Sequence, residues 1–177
     1  MKPKRWSPSL CLLLILSIAL PAAASMAVRL SLDDLVARAE RVVVAKLAGA
    51  PESFWRGQRI YTRYTFAVEE EWLGTGERII ALEQPGGAVG KWAQKAHGYP
   101  GFEPDERVVL VLDSYQGQPR VVGMSQGAFR LAEEGGRAIL EQKLDGLRLV
   151  PEGGEPIRLE ASELRRVIEQ YRERGRP

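Results

Sequence analysis

The stretch from Arg59 to Trp72 constrains this chain more than any other part of it. Its even positions are Ile60, Thr62, Tyr64, Phe66 and Val68, while its odd positions include Arg59, Arg63, Thr65, Glu69 and Glu71. A period of two held over that length belongs to a β-strand with one face on a core and the other in water. Such a strand needs partners, and its flanks supply them. Gly74-Thr75-Gly76 turns the chain into Glu77 to Gln84, where Ile79, Ile80 and Leu82 predict an antiparallel neighbour. Arg41 to Ala48 (RVVVAKLA) and Arg107 to Asp113 (RVVLVLD) are β-branched and nearly all apolar, the pattern of buried strands. Shorter strands are expected at Pro119 to Met124, Gly127 to Ala132 and Arg137 to Gln142, with brief pieces at Leu147 to Val150 and Ile157 to Leu159.

Helical patterning occurs twice. Ser31 stands three residues before Asp34 in a capping-box arrangement, and Leu32, Leu35, Val36 and Ala39 follow at helical spacing, so a short helix is expected over 32–39. Near the other end, Leu164, Val167, Ile168 and Tyr171 form one apolar stripe, predicting an amphipathic helix over 161–174 with Ser162 as its N-cap. Pro51 to Gly57 reads as a turn region, and Pro85 to Glu106 as one long glycine-rich loop. Many short strands with regular turns and two flanking helices predict a mainly β fold, a small barrel or sandwich.

The N-terminus predicts an address. Lys2, Lys4 and Arg5 precede an apolar run from Leu10 to Leu20, Pro21 breaks it, and Ala22-Ala23-Ala24-Ser25 supplies small residues for a signal peptidase. The expected organisation is a signal peptide over 1–25, a β-barrel domain over 26–142 and a C-terminal extension with its helix over 143–177. Cleavage is expected after Ser25, with Ala24 and Ala27 as alternatives. Retention as an anchor is the rival reading, but the run falls short of the roughly 20 residues a membrane span needs. The expected location is therefore secreted or periplasmic, with no membrane span after cleavage. Loss of the leader removes three basic residues and the single Cys, leaving 22 basic against 23 acidic side chains. That balance argues against a nucleic-acid partner, which requires a clustered basic face. One His and no mature Cys cannot furnish a zinc-finger ligand set, and no cofactor or metal is expected.

Several patterns invite a chemical reading. Gly123-Met124-Ser125-Gln126-Gly127 matches the G-x-S-x-G nucleophile elbow, yet a strand rather than a helix is expected to follow, and the only His precedes the Ser. The triplet Glu69-Glu70-Glu71 offers oxygens for a hard cation, but strand alternation sends Glu70 to the opposite face from its neighbours. Pro85-Gly86-Gly87-Ala88-Val89-Gly90 lacks the G-K-[ST] ending of a phosphate loop, so its glycines read as a strand-end turn. Trp55 and Trp92, placed in loops, are candidate partner anchors. With Gly86, Gly87, His97 and Tyr99 they form the expected binding set; no catalytic or metal residue is expected.

Taken in order, the VVVA strand, Ile60-Tyr61-Thr62-x-Tyr64-x-Phe66-x-Val68, Trp72-Leu73-Gly74, Gly86-Gly87, Pro104-x-Glu106-x-Val108-Val109-Leu110-x-Leu112, Gly123 and Gln126-Gly127-x-Phe129 resemble a group of exported bacterial β-domains over residues 30–132. More distantly the order resembles the netrin-like and tissue-metalloprotease-inhibitor modules. That resemblance implies an OB-like β-barrel of five to seven antiparallel strands and a binding role, including inhibition of, or assistance to, an exported metalloprotease. The N-terminal cysteine those inhibitors place on zinc has no counterpart in the mature chain. The expected function is an exported, non-enzymatic module that binds a protein or cell-envelope partner; a small hydrolase using Ser125 or His97 is the alternative.

Overall fold

A computed structural model describes residues 25–151 and 155–175. The expected leader, apart from Ser25, lies outside the described residues, as do residues 152–154. In chain order the elements are β1 (Ser25–Val28), α1 (Leu32–Arg38), β2 (Arg41–Leu47), β3 (Glu52–Arg56), β4 (Arg59–Leu73), β5 (Ile79–Pro85), β6 (Gly87–Val89) and β7 (Trp92–Gln94). There follow β8 (Arg107–Tyr115), β9 (Gln118–Val121), β10 (Ala128–Glu134), β11 (Arg137–Gln142), β12 (Leu147–Val150), β13 (Arg158–Glu160) and α2 (Ala161–Glu173). The mainly β expectation holds, with more strands than the five to seven anticipated.

Strand β2 is central, pairing antiparallel with β4 on one side and β8 on the other. Hairpins add β5 beyond β4 and β9 beyond β8, giving the order β5-β4-β2-β8-β9. That is a curled sheet with β5 and β9 at its margins. No backbone hydrogen bond joins those two strands among the described residues, so the expected barrel is not closed. A second wing, β10-β11-β13, continues from the first half of β8.

The two apolar strands, β2 and β8, run apolar on both faces because both faces are covered. Inside the curl, Val43, Ala45 and Leu47 meet Phe66, Leu82, Leu110 and Val121. On the outside, Val42, Val44, Val109 and Val111 meet Leu35 and Val36 of α1 and Leu164 and Ile168 of α2. All four helical side chains are at most 1% exposed, and burial of each contributes about 1.5–3 kcal/mol. The capping box at Ser31 and Asp34 forms as expected, whereas α2 is capped by Glu160, with Glu163 closing the box, rather than by Ser162.

Alternation along β4 fails near its end for a physical reason. Register shifts opposite Val42/Val43 and Val44/Ala45 leave one extra β4 residue at each place, so Val68 faces the inner core while Trp72 faces the helices. The same bulging sends Glu69, Glu70 and Glu71 to three different guanidinium groups, on Arg107, Arg165 and Arg41. Next to Arg41, the turn at Gly74 and Gly76 leaves no room for side chains. A Cβ on Gly74 (φ +72°) would lie 2.3 Å from the Glu40 carbonyl oxygen, and one on Gly76 would lie 2.6 Å from Arg41 Nη1.

Two segments expected as loops contain strands. Within 51–57 lies β3, because Phe54 and Trp55 pair with Tyr61 and Ile60 and the reversal comes later, at Gly57 (φ +60°). Within 85–106, β6 and β7 make a small hairpin whose turn includes Gly90 (φ +59°). One further strand, β1, pairs in parallel with β12, Ser25 opposite Leu147 and Val28 opposite Val150.

Candidate binding groove

The β4–β5 register places Thr62 opposite Gln84, so both side chains point to one side of the sheet. Beyond Gln84 the chain must pass close over β3 and β4. Gly87 makes this possible, since a Cβ there would lie 2.3 Å from Thr62 Oγ1 and 2.4 Å from Ser53 Oγ. Gly86 (φ +104°) and Gly87 (φ +126°) both hold conformations that side chains disfavour. A relay of hydrogen bonds fixes the crossing. The Ala88 N–H donates to Ser53 Oγ (3.3 Å), Ser53 and Thr62 hydroxyls are 2.9 Å apart, and Thr62 Oγ1 donates to the Gly86 carbonyl (2.8 Å). The returning strand β7 is pinned by the Ile60 N–H donating to Gln94 Oε1 at 2.8 Å.

The opposite wall is residues 95–101. It is anchored by Phe102, which enters the inner core edge-on to Tyr64 and Phe66 with ring centroids 5.1 and 5.0 Å away. Between the walls lies a groove of about 390 Å³, floored by Thr62, Tyr64 and Gln84 and walled by Gln94, Lys95 and Tyr99 among others. A second cavity of about 320 Å³ adjoins it along the margins of β5 and β9, and Gln84 and Tyr99 line both. The Tyr64 phenol is pushed above its usual range by burial and by the nearby Asp145 carboxylate, so it stays protonated at neutral pH.

Gln84 is the unusual residue. It is only 5% exposed, and it lines both cavities with its polar side chain. A carboxamide at the junction of two cavities offers two donors and an acceptor to whatever enters.

Of the expected binding set, Gly86, Gly87 and Tyr99 come together here. Trp55 and Trp92 are exposed as anticipated, at 47% and 59%, but neither lines the groove. Trp92 sits on the small hairpin with the Lys91 ammonium 5.4 Å from its ring. His97 is turned to the N-terminal ribbon: its carbonyl accepts from Ser25 Oγ at 2.8 Å, and its imidazole lies against Gly146. Ser125 is fully buried and its Oγ has no hydrogen-bond partner, so no nucleophile is presented to solvent at that turn. Sequence reading missed Gln84 and Thr62, although both are polar residues at inward positions of strands, and that was their signal.

Among the described residues no group of three or more His, Cys, Asp or Glu side chains is placed to hold a metal ion, and no helix is long and apolar enough to cross a membrane. Comparison of the chain with protein-family models, with curated proteins and with solved structures finds no match.

Proposed function

We propose that this chain is an exported, non-enzymatic binding module for a protein or cell-envelope partner, and that the groove bounded by Gln84, Gln94, Lys95 and Tyr99 is its contact site. The observation that carries the reading is the Gln84 carboxamide, 5% exposed and placed where two cavities meet. Export is supported by the basic, apolar and small-residue succession of residues 2–25. The deep burial of Ser125 weighs against the hydrolase alternative, and no residue of the mature chain carries the inhibitory cysteine chemistry of the metalloprotease inhibitors.

A photocrosslinking side chain placed at Ala96, on the groove wall, tests the site in the exported fraction of the host. One dominant adduct is expected there. None is expected with the same side chain at Arg166 on α2, which covers the opposite face of the sheet. Equal adducts at both positions, or none at either, would refute the assignment.

A further inference from the structure

The charges around the two cavities point to the kind of ligand. The 390 Å³ groove has no carboxylate in its lining, and its one charged residue, Lys95, forms no salt bridge among the described residues. In the adjoining cavity the acids are already engaged. Glu83 pairs with Arg56 and Arg63, and Asp113 accepts two bonds from Arg120, at 2.9 and 2.7 Å. Arg38, at the same rim, forms no salt bridge among the described residues. Cationic side chains thus stand at both ends of the path, Lys95 at one and Arg38, with Asp34 near it, at the other; the Gln84 amide lies between them, and Asp145 lies behind Tyr64 outside the groove lining.

Resting on the groove assignment above, we infer that the site takes an extended acidic segment of a polypeptide. A carboxamide meets a main-chain amide on complementary terms, donating to its C=O while accepting from its N–H. The Tyr64 and Tyr99 rings offer flat, rigid contact area at low entropic cost, as in peptide-binding surfaces. Carboxylates before and after that central amide then reach Lys95 on one side and Arg38 on the other. At about 3.3 Å per residue, a handful of extended residues spans both cavities. An acidic oligosaccharide shares the negative charge but lacks the repeating N–H that the Gln84 oxygen would accept.

The test is fluorescence anisotropy of a fluorescein-labelled Gly-Glu repeat decapeptide on the folded protein, beside the Gly-Lys repeat and a labelled oligogalacturonate. The expected result is binding of the Gly-Glu peptide at least about tenfold tighter than of the other two, weakened by about tenfold in Gln84→Leu and again in Lys95→Glu, a loss of roughly 1.4 kcal/mol each. Both variants are expected to melt within a few degrees of the parent, which separates lost binding from lost folding. Preference for the oligogalacturonate, or an unchanged affinity in both variants, would overturn the peptide assignment. Failure of every probe while the Ala96 crosslink persists would sink the acidic-peptide reading and leave the groove standing; failure of both would remove the site as well.

Discussion

Gln126 is predicted to hold the N-terminal segment to the sheet. The side chain is 1% exposed; its Oε1 accepts from the Leu30 N–H at 2.8 Å, and its Nε2 donates to the Val28 carbonyl at 3.0 Å and the Gly123 carbonyl at 3.3 Å. Gln126→Leu keeps most of the volume and removes all three bonds. The Leu30 N–H is then orphaned in a buried place, at a cost of about 1–3 kcal/mol. Val28 is exposed, so its carbonyl is partly rewetted, and the Gly123 oxygen keeps its bond from the Gln126 backbone N–H. The net loss should be about 2–3 kcal/mol, or roughly 5–10 °C in melting temperature for a chain of this size. Urea titration followed by tryptophan fluorescence measures it. Gln126→Glu sharpens the test, since the carboxylate still accepts from Leu30 but turns an oxygen toward two carbonyls. Burial raises that carboxyl's folded-state pKa above its unfolded value of about 4.3. The variant is therefore close to the parent below that value and falls behind as the pH rises through the folded pKa. A loss under about 0.5 kcal/mol in Gln126→Leu, against the cost of an orphaned buried donor, would refute the reasoning.

Three further outcomes are expected. Gly74→Ala should destabilise by more than twice as much as Gly90→Ala; the latter meets nothing within 4 Å and loses only the left-handed penalty of about 1–2 kcal/mol, whereas the former also collides with the Glu40 carbonyl. Paired denaturant curves decide it, and equal losses would count against the collision. The Glu70 carboxyl is held below its usual range chiefly by the Trp72 indole N–H, with Arg165 adding to it against the opposing effect of burial. Its stabilising contribution is present above the unfolded pKa and disappears as pH falls through the depressed folded value, so the stability gap between parent and Trp72→Phe should narrow in acid; melting at neutral and acid pH reads this. Finally, Ser125→Ala should leave stability unchanged or raise it by up to about 1 kcal/mol, because it deletes an unpartnered buried hydroxyl. A fluorophosphonate should leave the folded protein unlabelled, and labelling at Ser125 would contradict its burial.

The parts of the fold legible in the sequence are those governed by a single local rule. The alternation of Ile60 through Val68, the apolar runs of β2 and β8, and the two amphipathic helices all emerged at nearly their observed positions, since each needs one face or two faces buried and nothing else. What escaped depends on distant partners. β3 is five residues of ordinary composition made into a strand by Tyr61 and Ile60 beside it. β1 forms only because residues 147–150, more than a hundred positions away, lie alongside. Gly86 and Gly87 read as turn residues, but their reason lies in distant neighbours that no local pattern reveals: the Ser53 and Thr62 hydroxyls beneath Gly87, and the Gln94–Ala96 backbone against Gly86. Gln84, a polar residue ending an apolar strand, reads as the return to solvent. Its burial follows from the hairpin β6–β7 and the wall at residues 95–101 folding back over it.

The parallel pairing of β1 with β12 also sets an order of events. Parallel pairing must await its distant partner, and closing a loop of that length contributes a large entropic barrier before any contact rewards it. The Gln126 anchor and the Ser25 bond to His97 impose the same delay, since each joins residues 25–30 to chain made much later. The first described residues are thus expected to be among the last to settle, staying undocked until residues 147–150 are in place. Their docking then buries Leu30 beneath the finished sheet. A chain ordered this way leaves residues 25–30 accessible for as long as the domain is incomplete.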